Sequence, residues 1–321
     1  MTMNQSAEPG SEARPGGAPV GPGHTAETAR LMRLATYASV ATALVLIGVK
    51  LVAWIYTDSV SLLSTLIDSV LDALASIINL LAVRQALMPA DREHRFGHGK
   101  AEPLAALGQA TFISGSALFL VFEASQRLFT PAPLSHPGFG IAVMIFAIAA
   151  TFILTRFQAY VVRKTGSIAI QADSLHYVGD MLVNASVVVA LLLVSQLGWV
   201  WADAVFGLGI AAYILVNAWR IARGAYDMLM DRELPDVDRE RIKEIVQAHP
   251  AVAGLHDLRT RTSGRDTFIQ IHLELDGEMT LLRSHEIADE VEARLREAYP
   301  GAEVIIHQDP HGVEEPRARF V

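Results

Sequence analysis

The stretch SLLSTLIDSVLDALASIINLLAV, residues 61–83, decides the fold of this chain. It is long and apolar enough to cross the roughly 30 Å hydrocarbon core of a bilayer as a helix. It nevertheless holds two carboxylates, Asp68 and Asp72, spaced i, i+4. On a helix that spacing places both side chains on one face, about 6 Å apart along the axis. The sequence therefore predicts a membrane helix with an acidic face.

A second apolar stretch repeats the pattern. DSLHYVGDMLVNASVVVALLLV, residues 173–194, holds His176 and Asp180 at the same spacing. A charge near the bilayer centre costs about 2.5–3.5 kcal/mol or more, so these groups imply a compensating ligand or a water-filled cavity. Two such helices facing each other offer three carboxylates and one imidazole, a donor set with tetrahedral geometry available for a divalent cation. The alternative, polar side chains pairing across helices as packing contacts, leaves the acids repelling one another.

The composition is that of a membrane protein. The chain has 321 residues, 51% hydrophobic, with a mean hydropathy of +0.32. Six apolar stretches have the roughly 20 residues that a span needs. They lie at 34–56, 59–83, 103–129, 137–157, 172–197 and 199–221. We therefore expect a disordered extension at 1–29, a six-helix transmembrane domain at 30–225, a soluble domain at 226–312 and a tail at 313–321.

The basic residues predict the orientation of the spans. They lie before the first span, after the second, after the fourth and at the end of the sixth: Arg30, Arg33, Arg84, Arg92, Arg95, Lys100, Arg156, Arg163, Lys164, Arg220 and Arg223. The loops on the other side hold only Arg127. By the positive-inside rule, both termini are cytoplasmic. Lys50, inside the first span, either extends outward to the interface, the favoured alternative, or pairs with a carboxylate.

The soluble domain reads as a small α+β sandwich. DVDRERIKEIVQAHP and LLRSHEIADEVEARLREAYP have helical spacing, and strands are predicted at 252–262, in TFIQIHLEL and in AEVIIHQDP. In TFIQIHLEL the apolar residues alternate with Gln270, His272 and Glu274. The order helix, strand, strand, helix, strand favours helices packed on one face of a sheet.

Two further groups have the composition of metal ligands. The loop PADREHRFGHGKAE places Asp91, His94 and His98 within eight positions, although the spacing alone favours an ordinary solvated loop. The soluble domain offers His256, His272, His285, His307 and Asp309. His307 and Asp309 are two apart on a strand and so share a face. From the residues alone, a metal cluster and a set of unrelated surface histidines stay equally open.

Several function classes lose their usual signatures. The chain has no cysteine, so any metal is held by imidazole and carboxylate. The net charge of -8 argues against nucleic acid as a partner. The sequence contains neither a G-x-x-x-x-G-K-[ST] phosphate loop nor H-E-x-x-H, the motifs of ATP-driven pumps and zinc metalloproteases.

At these residues the chain resembles the cation diffusion facilitator family, in particular its bacterial zinc and ferrous-iron efflux pumps. The resemblance covers about residues 30–312. It is carried by DSVLD, HYVGD, FGHGKAEPLAAL, FISGSALFL, LHDLRTR, FIQIHLE and IIHQDP.

The resemblance implies a homodimeric secondary transporter of the bacterial inner membrane. It would export Zn²⁺, and also Cd²⁺ or Fe²⁺, from the cytoplasm in exchange for protons, with a ferredoxin-like cytoplasmic domain and both termini inside. The resemblance implies a transporter and not an enzyme. The implied site residues are an intramembrane transport site of Asp68, Asp72, His176 and Asp180, with His176 as the coupling group; a loop site of Asp91, His94 and His98; a binuclear, structural zinc site of His256, His272, His285, His307 and bridging Asp309; and a Lys100–Asp231 salt bridge at the dimer interface.

Three other functions stay open on the sequence. A membrane-anchored metal sensor would use the spans only as an anchor, which does not need four buried ionisable groups. A metal-gated channel would use similar ligands without proton exchange. A membrane enzyme is the weakest alternative, because no nucleophile and base pairing is evident in any span.

Overall fold

The computed structural model describes residues 26–57, 60–129, 138–197, 199 and 201–313. Six long helices form the first part of the chain: α1 (Ala26–Thr57), α2 (Val60–Ala86), α3 (Ala101–Phe129), α4 (Gly138–Thr165), α5 (Ile168–Leu197) and α6 (Ala202–Leu229). The six predicted spans correspond to these six helices, in the predicted order. Most of the predicted extension and of the tail lies outside the described residues.

Among the described residues, α1, α2, α3, α4 and α6 are long and apolar enough to cross a membrane, and α5, with 30 residues, carries His176 and Asp180. The chain is therefore a multi-pass membrane protein. Each helix extends beyond its predicted stretch at one end or both, because polar turns continue it outside the apolar residues. α1 begins at Ala26, inside the stretch 1–29 that we expected to be disordered, and α6 passes the expected boundary at 225.

α5 is the central helix of the bundle, since it contacts each of the other five. Small side chains let the helices approach closely. The buried contacts of α5 with α3 and α6 include Ala106, Ala110, Ala172, Ala218 and Ala225. Polar groups on α5 are thereby held away from lipid.

The remaining chain forms the α+β domain: α7 (Asp236–Gln247), β1 (Gly254–Ser263), β2 (Asp266–Leu275), α8 (Leu281–Ala298) and β3 (Glu303–Pro310). The sheet order is β1-β2-β3, antiparallel between β1 and β2 and parallel between β2 and β3. Thr280 caps the N-terminus of α8, because its side chain accepts a hydrogen bond from the Arg283 N–H. The predicted order of elements is confirmed.

The alternation in β2 divides its two faces as predicted. The core contains Ile269, Ile271, Leu273 and Leu275 from β2, together with Ile287, Val291 and Leu295 from α8. The opposite face of the sheet carries His272 and Glu274, both half-buried. The polar face of the sheet is therefore available for a metal-binding site.

The loop between α2 and α3 is docked on the β1–β2 hairpin. Gly99 lies directly against the Ser263 backbone. The Phe96 ring meets the Phe268 ring edge-on at 5.9 Å between centroids, and the Arg261 guanidinium lies over both rings. This contact fixes the loop relative to the cytoplasmic domain.

Candidate metal centres

The intramembrane centre is formed where α2 faces α5. His176 Nε2 lies 2.9 Å from Asp72 Oδ1 and 3.6 Å from Asp180 Oδ2. One ligand atom from each of the three residues lies within 4.8 Å of the others. His176 is 6% exposed, and Asp180 Oδ2 is buried without a hydrogen-bond partner among the described residues. Three donor atoms converge on one point, as a cation site requires.

The fourth predicted ligand, Asp68, lies one turn before Asp72 on α2 but is exposed and outside this group. The α1 side chain Lys50 approaches the same turn: its Nζ donates to the Thr65 carbonyl at 3.0 Å and to Ser69 Oγ at 2.6 Å. The favoured expectation that Lys50 extends outward is therefore wrong. The bond to Ser69 holds the ammonium beside the α2 turn that carries Asp68 and Asp72, and its charge also acts on Asp180 of α5.

The loop centre brings together Asp91, His94 and His98. His98 Nε2 lies 3.3 Å and His94 Nδ1 3.4 Å from the Asp91 carboxylate. The His94 and Glu93 N–H groups donate to Asp91 Oδ1, and the His94 bond in particular holds the pKa of Asp91 below its usual range. The carboxylate is thus ionised and oriented at neutral pH. The spacing favoured a solvated loop, whereas the geometry gathers the three potential ligands.

The cytoplasmic centre lies on the polar face of the sheet. The strand register places His256 opposite His272, and His272 opposite His307. All three imidazoles contact Asp309, which is 5% exposed. The distances to its carboxylate are 2.8 Å from His272 Nδ1, 3.2 Å from His256 Nε2 and 3.1 Å from His307 Nε2. One carboxylate shared by three imidazoles suits a bridging ligand.

The fifth predicted residue, His285, lies elsewhere. It is on the exposed surface of α8, 3.5 Å from the Asp289 carboxylate one turn later. The single protomer does not bring it to Asp309. Its assignment as a ligand stays a prediction.

The sequence did not single out two residues of the cytoplasmic centre, Glu274 and His311. Glu274 accepts from His256 Nδ1 at 3.0 Å and from His311 Nδ1 at 2.9 Å. The His311 bond is the main cause that lowers the pKa of Glu274. A carboxylate on the far nitrogen of a metal-ligating histidine fixes the ring and its tautomer. The signal was available, because Glu274 follows His272 by two residues on the same strand face.

Lys100 and Asp231 form an ion pair, but within one protomer. Lys100 Nζ lies 3.0 Å from Asp231 Oδ1, and Arg261 Nη1 lies 3.2 Å from the same oxygen. Desolvation by burial opposes ionisation of Asp231, yet these two hydrogen-bonded cations hold its pKa below the usual range. The pair joins the start of α3 to the cytoplasmic domain.

Residues 36–230 match the cation efflux transmembrane domain, and residues 234–311 match the cytoplasmic domain of cation efflux proteins. The chain belongs to the cation efflux family. The membership makes it a transporter of divalent metal ions and places the three centres in the two domains of an efflux protein.

Two relatives of known sequence agree with the family assignment. The chain is 51% identical over 284 residues to the cation-efflux pump FieF of Salmonella choleraesuis (strain SC-B67), which covers 88% of this chain and 94% of the relative. The FieF pump of Salmonella arizonae gives the same identity and coverage. Among solved structures, the metal-bound C-terminal domain of the CzcD transporter from Thermotoga maritima covers 26% of this chain and 100% of its own, with 26% identity and a TM-score of 0.24.

Proposed function

We propose that this transporter exports Zn²⁺ from the cytoplasm in exchange for protons, by alternating access of one intramembrane site to the two sides of the membrane. The observation that carries the proposal is the convergence of Asp72, His176 and Asp180 on one point between α2 and α5. Buried ionisable groups in spans mark ion pathways. Asp68 is close enough in sequence to complete a tetrahedral set when a cation is present.

The donor set supports zinc first among several metals. Carboxylate and imidazole ligands suit Zn²⁺ and also accept Fe²⁺, Cd²⁺ and other divalent ions, because affinity order gives little discrimination. The names of the relatives indicate cation efflux but do not specify a particular ion. We therefore propose zinc as the main substrate and Cd²⁺ and Fe²⁺ as further substrates.

Proton exchange follows from the ligands. Metal binds imidazole and carboxylate in their deprotonated forms, so metal binding releases protons and affinity rises with pH. An unperturbed imidazole titrates near pH 6.5, closest to the working range, and His176 is the residue that contacts both clustered carboxylates. We assign His176 as the main coupling group.

The cytoplasmic centre is proposed as a structural zinc site in a homodimer. Histidines from three strands and the shared carboxylate of Asp309 tie the sheet together once metal is bound. His285 is exposed on α8, and we propose that it makes contacts outside its own protomer. The bacterial inner membrane, with both termini cytoplasmic, is the proposed location. The roles of the loop centre and of the Lys100–Asp231 pair at the dimer interface are part of the same proposal.

Metal-stimulated proton flux in proteoliposomes, over a panel of divalent ions, tests the proposal. Zinc uptake into the lumen should make the lumen more alkaline, because protons leave as zinc enters, and a lumen more acidic than the outside should accelerate the uptake. Zinc flux that ignores a pH gradient supports the metal-gated channel, and the absence of any flux supports the membrane-anchored sensor. Asp180→Ala should abolish flux with the protein still folded, since removing a buried carboxylate also relieves its desolvation.

A further inference from the structure

A buried polar network lies beside the intramembrane centre, centred on Asp173 of α5. Asp173 is 1% exposed. Its Oδ2 accepts hydrogen bonds from Ser39 Oγ and, at 2.7 Å, from Gln158 Nε2. Its Oδ1 lies 3.1 Å from Gln109 Nε2 and 3.5 Å from Ser76 Oγ. The donors come from α1, α2, α3 and α4, so four helices meet the fifth at one carboxylate.

The groups that the four helices present to this carboxylate are neutral amides and hydroxyls. The titratable groups nearest to it are His176 and Tyr177 of α5 itself. On α2 the nearest acid is Asp72, one turn before Ser76. On α3 it is Glu102, which is engaged with Ser167 and Arg265. In the described part of the chain no lysine or arginine pairs with Asp173. A buried carboxylate held only by neutral donors is far less stabilised as an anion than one with a cationic partner.

The neighbouring amide supplies the second observation. Gln158 is fully buried, its Nε2 donates to Asp173 and to Ser39, and its Oε1 has no hydrogen-bond partner among the described residues. An unpaired buried acceptor destabilises the arrangement that leaves it unpaired. Rotating the Gln158 amide end over end brings Oε1 against the Asp173 carboxyl. That arrangement is complementary to a protonated carboxyl, which donates its O–H.

The network therefore accommodates both protonation states of Asp173. The ionised form accepts from Gln158 Nε2, as in the structure, and the protonated form donates to Gln158 Oε1. Asp173 precedes His176 by one helical turn. A negative charge there attracts a divalent ion in the neighbouring centre, and by reciprocity the bound ion favours the ionised carboxylate.

We propose that Asp173 is a second proton-binding carboxyl of the transport cycle. It loses its proton to water when a divalent ion binds between α2 and α5, and it regains a proton after the ion leaves. Asp173 does not touch the metal; it acts through charge and through the amide of Gln158. This inference deepens the proposed metal–proton exchange and rests on it.

The test counts the protons released for each zinc ion bound at the intramembrane centre. The full chain is titrated with zinc by calorimetry, in buffers of different ionisation enthalpy, from about pH 5.5 to 8. The loop and cytoplasmic centres are first removed by Asp91→Ala, His98→Ala and Asp309→Asn. Asp173→Asn, which has the shape of the protonated acid, should release about one proton fewer per ion than its parent. Equal proton counts at every pH overturn the inference.

Gln109→Leu is the matched variant, and it also serves if Asp173→Asn does not fold. It removes one donor to the Asp173 anion and keeps both the carboxyl and the spare acceptor of Gln158. The maximal proton count should equal that of the parent, with the pH profile displaced upward because the anion is less stabilised. An unchanged profile contradicts the inference, since a purely structural network does not move it. A parent that binds zinc without releasing protons overturns the proposed exchange itself.

Discussion

A single methyl group added at Gly99 should separate the α2–α3 loop from the β1–β2 hairpin of the cytoplasmic domain. A Cβ built on Gly99 would lie 2.0 Å from the Ser263 carbonyl oxygen and 2.7 Å from its carbon. These are backbone atoms of the β1–β2 hairpin and have no rotamer to change. Gly99→Ala should therefore push the loop away from the hairpin by about 1 Å or more, because ordinary contacts begin near 3.4 Å.

The magnitude follows from the kind of contact. Overpacking of a buried site typically costs about 1–3 kcal/mol. At about 2–4 °C per kcal/mol for a chain of this size, the unfolding midpoint should fall by several degrees. The displacement also lengthens the adjacent Lys100–Asp231 ion pair, now 3.0 Å, and disturbs His98 in the loop centre.

Thermal unfolding of the purified protein in detergent measures the effect, with Gly108→Ala as the matched control. Gly108 lies within α3, and a Cβ there meets no heavy atom within 4 Å. Alanine in a helix interior is favoured over glycine by about 1 kcal/mol, so the control should unfold at the parent temperature or slightly above it. If Gly99→Ala unfolds together with the control, the docking of the loop on the hairpin is refuted.

Three further predictions concern charge and metal. Asp309→Asn, in a chain lacking the other two centres, should lose the stabilisation by zinc, about 2.7 kcal/mol at a hundredfold excess over Kd; a thermal shift equal to that of the parent counts against Asp309. Lys50→Met removes a positive charge beside the acidic face, so zinc should bind the intramembrane centre about tenfold more tightly, as read by competition with a chelator dye; weaker or equal binding contradicts that electrostatic role. The pKa of Asp231 is lowered in the folded chain, so its contribution to stability is present above its unfolded pKa and is lost as the pH falls through the folded value, below about pH 4. The unfolding midpoint of Asp231→Asn should therefore fall less on acidification than that of the parent. An equal fall in both proteins would contradict a stabilising role of the Lys100–Asp231 ion pair.

The sequence predicted the elements and the ligands that share one helix face or one strand face. Spacing of i, i+4 placed His176 and Asp180 together, and period-two alternation placed His272 on the polar face of β2. It did not predict that Asp68 lies apart from the cluster, because the rotation of α2 against α5 depends on packing along the whole helix. Nor did local pattern show that Lys50 bonds to the neighbouring helix.

The residues that were missed act across elements. Ser39, Gln109 and Gln158 are single polar residues on three different helices, and nothing in their local sequence links them to Asp173. Asp173 itself lies one helical turn before His176, but the i, i+4 spacing that marked His176 and Asp180 did not include it. Tertiary packing alone brings these side chains together, so the network became visible only in the assembled bundle.

Metal stoichiometry at the intramembrane centre tests the central claim most directly. In a full-length chain whose loop and cytoplasmic centres have been removed by substitution, equilibrium dialysis against zinc should retain a single ion per protomer. Asp180→Ala in that background should retain none at the same free zinc concentration, because Asp180 Oδ2 is the buried carboxylate oxygen that has no hydrogen-bond partner among the described residues. Retention of the ion by the Asp180→Ala chain, or its absence from the background chain, would contradict the assignment of Asp72, His176 and Asp180 as the transport site.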